Sequence, residues 1–353
     1  MRSIAIGGSE YVVEGELGRG GMGIVLKARD LNLDRHVAIK LMLDASGTID
    51  AELFRREGRM LAKLPPDRGI VPVHAADEVW WEGKRQLCLV MGFIEGRSLA
   101  HYARDPNFPT VSALATWCAQ TCEALAIAHA QGVIHRDVKP SNIIISDNHA
   151  WLIDFGISSP QADSSSASGF PIGTPPYMSP EQASLIPLTG LSDLYSVGVM
   201  FFELLTGELP FQHQVQNDGW ASYLMTVRTE YPPSLAGGPA NLGAVMDSLL
   251  RRVKSGHLPF PDAVSAARGL RDIASICRAA EAGKIAPLPP IKIIDDLGYA
   301  RTPARGMVEV GADFSYSPER LDGDTPEWAR GSDDTRMDWQ RKYRFRNRRL
   351  GNG

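Results

Sequence analysis

Four glycines, Gly18, Gly20, Gly21 and Gly23, stand between two runs of strand-forming residues, Tyr11-Val12-Val13 and Ile24-Val25-Leu26. With their neighbours they spell Leu17-Gly18-Arg19-Gly20-Gly21-Met22-Gly23-Ile24-Val25, a G-x-G-x-x-G-x-V pattern. Glycine lets a backbone turn tightly, so that successive N–H groups can face a phosphate. The same spacing opens a dinucleotide-binding fold only when a helix follows at once. Here a strand-like run over residues 24–28 follows, which argues against that fold. A glycine-rich turn between two strands remains.

The elements around it divide the chain. Strands are expected at residues 11–13, 24–28, 37–39, 71–74 and 87–93. A helix is expected over 50–63, with Leu53, Met60 and Leu61 apolar and Pro65-Pro66 ending it. From about residue 94 the character changes: 110–130, 193–206 and 243–254 are helical in period, and strand-like runs are brief, at 143–145 and 151–153. Residues 1–10 are set aside as an N-terminal extension, 11–93 and 94–280 as two parts of one domain, and 281–353 as a mostly irregular tail. At 353 residues and 44% apolar, the chain can bury a sizeable core. Whole-chain disorder is excluded. The net charge of −4 excludes a chain that binds polyanions with its whole surface.

Cys88, Cys118, Cys122 and Cys277 are too few and too scattered for a disulfide framework, and they fit a reducing compartment. Residues 1–8 hold no long apolar run, so no secretory signal is expected. No uncharged apolar stretch reaches the ~18 residues of a membrane helix. A cytoplasmic location follows as an expectation.

Val37-Ala38-Ile39-Lys40 places a lysine at a strand end, and Glu57 sits mid-helix where it could reach across to Lys40. A lysine held by a glutamate can present its ammonium to α- and β-phosphates. Glu52 is the competing acid. The decisive segment is His135-Arg136-Asp137-Val138-Lys139-Pro140-Ser141-Asn142, followed by Asp154-Phe155-Gly156. In this order, with the glycine-rich loop and the Val-Ala-Ile-Lys run, these motifs resemble the signature set of eukaryotic-like protein kinases. Gly173-Thr174-Pro175-Pro176-Tyr177-Met178-Ser179-Pro180-Glu181-Gln182 resembles the bacterial Ser/Thr branch. The resemblance covers about residues 10–275.

It implies an α+β, two-lobed fold, with a small antiparallel-sheet N-lobe and a larger, mainly helical C-lobe. It also implies an ATP- and Mg²⁺-dependent transfer of phosphate to Ser or Thr of protein substrates. Asp137 would take or orient the hydroxyl proton, Lys139 would add positive charge at the moving phosphoryl group, and Lys40 with Glu57 would hold the phosphates. Asn142 and Asp154 would hold Mg²⁺. Met91 is the implied gatekeeper, with Gly92 to Ile94 pairing with the base and Val25, Ala38 and Ile144 enclosing its ring. Leu17, Gly18, Gly20, Gly21 and Gly23 complete the nucleotide set. Thr174 is expected to bond Asp137 and Lys139, and Asp193 to hold the catalytic-loop backbone. The activation segment offers Ser158, Ser159, Ser164, Ser165, Ser166 and Ser168 as phosphate acceptors, and Arg136 as the partner for such a phosphate. A homodimer for autophosphorylation is a further expectation.

One position departs from the family. Pro259 stands where its members carry the arginine that pairs with the glutamate matching Glu181. Exposure of Glu181, or a replacement cation from Arg251 or Arg252, is therefore expected, since a buried unpaired carboxylate is costly. In the tail, residues 309–338 hold nine acidic and three basic side chains, and 336–349 seven basic and one acidic. The basic end could touch nucleic acid or an anionic membrane, although a solvated tail is the plainer reading. A pseudokinase or scaffold is the alternative function. Loss of Lys40, Asp137, Asn142 or Asp154 would mark it, and all four are present.

Overall fold

The computed structural model describes residues 2–20, 23–42, 51–66, 68–103, 108–155, 174–251, 259–295 and 298–303. These fall into two compact units. One takes the described residues up to Ala62 together with Val73–Phe93; the other takes Lys63–Pro72 and those from Ile94 onward.

The first unit contains β1 (Arg2–Ile6), β2 (Ser9–Gly20), β3 (Gly23–Asp30), β4 (Arg35–Met42), α1 (Ala51–Leu61), β5 (Val73–Trp81) and β6 (Lys84–Gly92). The strands form one antiparallel sheet in the order β1-β2-β3-β4-β6-β5. Side chains alternate across such a sheet, so each strand feeds two faces. One face gathers Ile24, Leu26, Ala28, Val37, Ile39, Leu41, Cys88 and Val90 into a buried cluster. Ile4 and Ile6 of β1 join the same cluster. Residues 1–10 are therefore not an appendage, as the sequence reading has them: β1 is the sheet's first strand. Its Ile-Ala-Ile alternation is too short to register as a strand alone. Gly7 and Gly8, at φ 58° and 84°, turn it back along β2. The two sheet edges, β1 and β5, lie against each other, so the sheet curls around its apolar face.

The second unit contains β7 (Arg97–Ser98), α2 (Leu99–Tyr102), α3 (Val111–Ala130), β8 (Ile143–Ser146), β9 (His149–Leu152), α4 (Pro180–Ser184), α5 (Gly190–Thr206), α6 (Gln212–Thr229), β10 (Ser234–Ala236), α7 (Leu242–Leu249), α8 (Ala263–Glu281), β11 (Lys292–Ile294) and β12 (Ala300–Arg301). Helix α3 starts at Thr110, whose hydroxyl accepts the N–H of Ala113. By length and composition α3 could cross a membrane, but it is mostly buried here and packs on α8 and α5. Its Leu114, Cys118, Cys122 and Leu125 are fully buried. Cys118 and Cys122 are thus core residues, with no metal-binding cluster of His, Cys, Asp or Glu among the described residues.

Helices α6 and α8 escape the periodicity reading. α8 buries mainly small residues, among them Ala263, Ala266, Ala267, Ala274 and Ala280, which give a faint apolar signal. α6 is kinked at Gly219. The tail reading also changes at its start. Strand β11 pairs antiparallel with β10 on one side and β12 on the other, and Ile291 and Ile293 are fully buried. Arg301 pairs with Glu208. The acidic stretch and the basic end lie outside the described residues.

Candidate active site

In the first unit the register sorts the expected nucleotide residues onto one face. Val25 pairs with Lys40, and Lys40 with Leu89; Lys27 pairs with Ala38, and Ala38 with Met91. Direct partners in an antiparallel sheet point to the same side. Val25, Ala38, Lys40 and Met91 therefore share the face opposite the apolar cluster. Lys40 is 8% exposed, far less than an ordinary lysine. Gly92 continues β6 opposite Val37.

Strands β2 and β3 meet at the glycine-rich turn, with Gly20 opposite Gly23 and Gly18 opposite Val25. The register slips between Glu16 and Gly18, which leaves Leu17 at a bulge, half exposed. Gly23 has its own reason to be glycine. A Cβ there would lie 2.2 Å from the carbonyl oxygen of Leu41. Gly21 and Met22 lie outside the described residues.

Helix α1 docks through Gly58, where a Cβ would lie 2.3 Å from the Cβ of Ala76 and 3.8 Å from Leu89. Leu89 is the strand partner of Lys40, so the turn carrying Glu57 lies over the strand pair carrying Lys40. One carboxylate oxygen of Glu57 is buried. Glu52, the competing acid, is exposed and bonds Arg55 at 3.1 Å.

The second unit holds the residues expected to do the chemistry. The β8–β9 hairpin brings two of them together. Ile143 pairs with Leu152, and the Ile153 N–H donates to the Asn142 carbonyl at 2.9 Å, so Asn142 and Asp154 end neighbouring strands. Ile144 sits on β8, half-buried, opposite Trp151. Ile94 is half-buried at the start of this unit. The buried Asn142 amide donates to the Asp137 carbonyl at 2.8 Å and to its carboxylate at 3.3 Å. That uses the NH₂ group and leaves the amide oxygen as the atom suited to a cation.

Asp137 is the hub. Its Oδ2 lies 2.7 Å from the Lys139 ammonium, and its Oδ1 accepts from the Thr174 hydroxyl at 2.8 Å. The Lys139 ammonium also donates to the Thr174 hydroxyl at 2.7 Å. Carboxylate, ammonium and hydroxyl thus close a triangle, as expected for Thr174. Burial pushes the Asp137 pKa up, but the charge and hydrogen bond of Lys139, with the hydrogen bond of Thr174, outweigh it. The net result lies below the usual carboxylate value, so Asp137 is an anion at neutral pH.

The loop is fixed from behind. Asp193 accepts from the N–H groups of His135 and Arg136, each at 2.9 Å, and from His129 Nε2 at 2.8 Å. It sits in the first turn of α5, where the helix dipole favours an anion and Thr189 with Ser192 forms a capping box. His135 accepts the Asp137 N–H at Nδ1, 3.3 Å, so its proton is on Nε2, which donates to Ile153 O at 2.9 Å. Its ring lies 4.6 Å from that of Phe155. Arg136 and Asp154 both adopt left-handed backbone, at φ 70° and 62°, a strain of the kind that gathers at functional sites.

Glu181 has a replacement cation. Arg251 grips its carboxylate with two nitrogens, Nη2 at 2.7 Å from Oε2 and Nη1 on Oε1. The Arg251 guanidinium also lies 5.2 Å from the Tyr195 ring centre. Burial raises the Glu181 pKa, and the hydrogen bonds and charge of Arg251 more than reverse this, leaving it lowered. Arg252, the other candidate, lies outside the described residues, as do Gly156 and all six candidate serines. One brace escapes the sequence reading altogether. Gln182 donates from Nε2 to the Arg136 carbonyl at 2.6 Å and caps α4 through Ser179. The Ser179-Pro180-Glu181-Gln182 string has the capping-box spacing that could have revealed it.

A family model described as "Protein kinase domain" matches residues 11–241. The chain belongs to the protein kinase family. Its relatives place this kinase domain in the bacterial Ser/Thr branch. The serine/threonine-protein kinase PkaA of Streptomyces coelicolor is 33% identical over 338 residues, 88% of this chain and 58% of that protein. Serine/threonine-protein kinase pkn2 of Myxococcus xanthus is 41% identical over 206 residues, 55% of this chain and 24% of its own length. Serine/threonine-protein kinase PknA of Mycobacterium tuberculosis is 34% identical over 288 residues, covering 78% and 65%. The chain therefore spans from about a quarter to under two thirds of these relatives. The crystal structure of a mutant of the Mycobacterium tuberculosis PknI kinase domain superposes with a TM-score of 0.54 at 23% identity, over 75% of this chain and 95% of that one. The fold is that of a protein kinase.

Proposed function

We propose that this kinase transfers the γ-phosphoryl group of ATP to Ser or Thr hydroxyls of proteins, copies of itself included. The observation that carries the proposal is the triangle of Asp137, Lys139 and Thr174. An aliphatic hydroxyl is held there with its proton on a carboxylate and its oxygen on an ammonium. The same two groups suit an acceptor Ser or Thr. Asp137, kept anionic by Lys139, takes up the hydroxyl proton as the oxygen attacks. Lys139 holds positive charge where charge gathers on the transferring group.

Asn142 and Asp154 fit Mg²⁺. Both offer oxygen, and Mg²⁺ usually keeps only one or two protein ligands beside phosphate and water. When bound, Mg²⁺ would neutralise charge on the phosphate oxygens. Lys40, on the face shared with Val25, Ala38 and Met91, would hold the α- and β-phosphates, with Glu57 holding Lys40.

Autophosphorylation in the segment 158–168, through a transient homodimer, belongs to this proposal. So does a cytoplasmic location, which four free and buried cysteines favour. No specific observation favours a scaffold that binds without transfer.

The test is incubation of the purified chain with Mg²⁺, γ-labelled ATP and a basic acceptor protein, beside Lys40→Met and Asp137→Asn. Rapid labelling on Ser or Thr is expected in the unmutated protein only, with Asp137→Asn slower by about 10²–10⁴-fold. Equal labelling by Asp137→Asn would refute the role given to that residue. No transfer by any of the three, with ATP still bound, would refute the proposal.

A further inference from the structure

Between α8 and β11 the chain runs Ala282-Gly283-Lys284-Ile285-Ala286-Pro287-Leu288-Pro289-Pro290-Ile291-Lys292, beyond the residues 11–241 that match the family. Residues 286–291 are neither helix nor strand. Their conformation is dictated chemically. Each proline fixes its own φ near −65°, and Ala286, Leu288 and Pro289 each precede a proline, which drives them to extended ψ. Such a run favours the polyproline II form, with three residues per turn and three edges.

The exposure pattern fits that period over residues 286–291. Leu288 is half-buried and Ile291 fully buried, so the edge they share turns into the protein. Ala286 and Pro289, on the second edge, are both exposed. On the third edge Pro287 is exposed and Pro290 is half-buried. Lys284 and Ile285 lie at bends after α8, and Lys292 opens β11. The two outward edges therefore present the dipeptides Ala286-Pro287 and Pro289-Pro290, with Leu288 between them facing away.

Both ends are tied down. The Lys284 N–H donates to the Ala279 carbonyl at 2.9 Å, closing the end of α8. The Gly238 N–H donates to the Pro289 carbonyl at 2.7 Å, and β11 begins shortly after. Gly237 admits this approach because it has no side chain: a Cβ would lie 1.9 Å from the Pro290 oxygen. A lysine stands at each end, and residues 282–292 contain no acid.

We propose that residues 286–290, flanked by Lys284 and Lys292, are a preformed docking ligand for a partner protein that reads polyproline II. The partner carries a groove lined with aromatic side chains, which takes the two X-Pro dipeptides, and an acidic rim, which takes Lys284 or Lys292. The site lies apart from the catalytic residues and recruits a substrate or regulator without occupying them. Because the kinase fold already holds the ligand extended, little conformational entropy is lost on binding.

The test uses the full chain and, as probe, an isotope-labelled SH3 domain with an aromatic groove and an acidic rim, followed by NMR titration. Saturable shifts at the groove residues are expected. Pro287→Ala and Lys284→Glu, both at exposed positions, should each weaken binding about tenfold. Neither should change the unfolding temperature or the rate of phosphoryl transfer. The full chain should bind more tightly than a free peptide of residues 282–293. No binding by the full chain, binding by the peptide alone, or binding indifferent to both substitutions would overturn the proposal.

Discussion

Asp193 in α5 and Glu181 in α4 are both carboxylates with little exposure, and both brace the region of Asp137, yet they are held by different kinds of partner. Asp193 takes two backbone N–H groups of the catalytic loop and the His129 ring. Glu181 takes one guanidinium, from Arg251. A backbone N–H exists whatever the residue, so the Asp193 arrangement depends on the fold alone. A side-chain partner can be supplied from elsewhere. Pro259 stands at the position expected to supply it, and Arg251, just past the end of α7, supplies it instead. Arg251 reaches Glu181 from a left-handed backbone conformation, at φ 56°, with its guanidinium against the Tyr195 ring. The Glu181 carboxylate needs a cation, and the structure supplies one from Arg251.

Removing the backbone brace should have the larger effect. Asp193→Ala leaves two N–H groups of the catalytic loop without their acceptor. Each such buried donor costs about 1–3 kcal/mol, so a loss of about 3–5 kcal/mol is expected. Denaturant unfolding measures it. Asp193→Asn, which keeps one acceptor oxygen, should lose less. Equal losses for Ala and Asn would mean that the charge, rather than the hydrogen bonds, holds the loop.

Breaking the side-chain brace comes next. Arg251→Ala strands a mostly buried carboxylate, and about 2–3 kcal/mol is expected, below the ~3–5 kcal/mol typical of full burial because Glu181 keeps some exposure. The double variant Glu181→Ala/Arg251→Ala should recover at least half of that loss, since no stranded charge remains. A double-mutant cycle reads the coupling directly. Additive losses would show that Arg251 acts through Tyr195 instead.

The same contrast explains what the sequence discloses. Lys40, Asp137, Lys139, Asn142 and Asp154 are legible because their motifs hold those side chains at short, fixed spacings. Asp193 and Thr174, far along the chain from Asp137, are legible only through the family resemblance. Arg251 is legible only as one of two candidates, because its partner lies 70 residues away and nothing local marks it. Strand β1 hides because five residues with two isoleucines become a strand only against β2 and the curled sheet. Strands β11 and β12 hide because three and two residues carry no period of their own. The sheet's division into two faces needs the register, which no single strand carries.

Gln182 tests how far α4 transmits its anchoring. It bonds the Arg136 carbonyl, one residue before Asp137. Gln182→Ala should cost about 1 kcal/mol of stability, the net worth of one hydrogen bond. It should lower kcat while leaving the ATP KM unchanged, because the loop geometry loosens and the nucleotide residues do not. A change confined to the unfolding midpoint would make Gln182 a helix cap and nothing more.

The smallest effect expected is the response to acid. The folded-state pKa of Glu181 lies below its ordinary value, about 4.3 in an unfolded chain. A depressed carboxylate adds stability that is fully present above the unfolded pKa and disappears as pH falls through the folded one. Between pH 7 and 5 the stability gap between the unmutated protein and Glu181→Gln should therefore stay constant. Below about pH 4.5 it should shrink, because only the unmutated protein can still take up a proton there. Other carboxylates, Asp137 among them, titrate in both proteins and cancel from the difference. A gap that stays constant below pH 4.5 as well would mean that Glu181 is not depressed and that Arg251 is a weaker partner than the arginine it replaces.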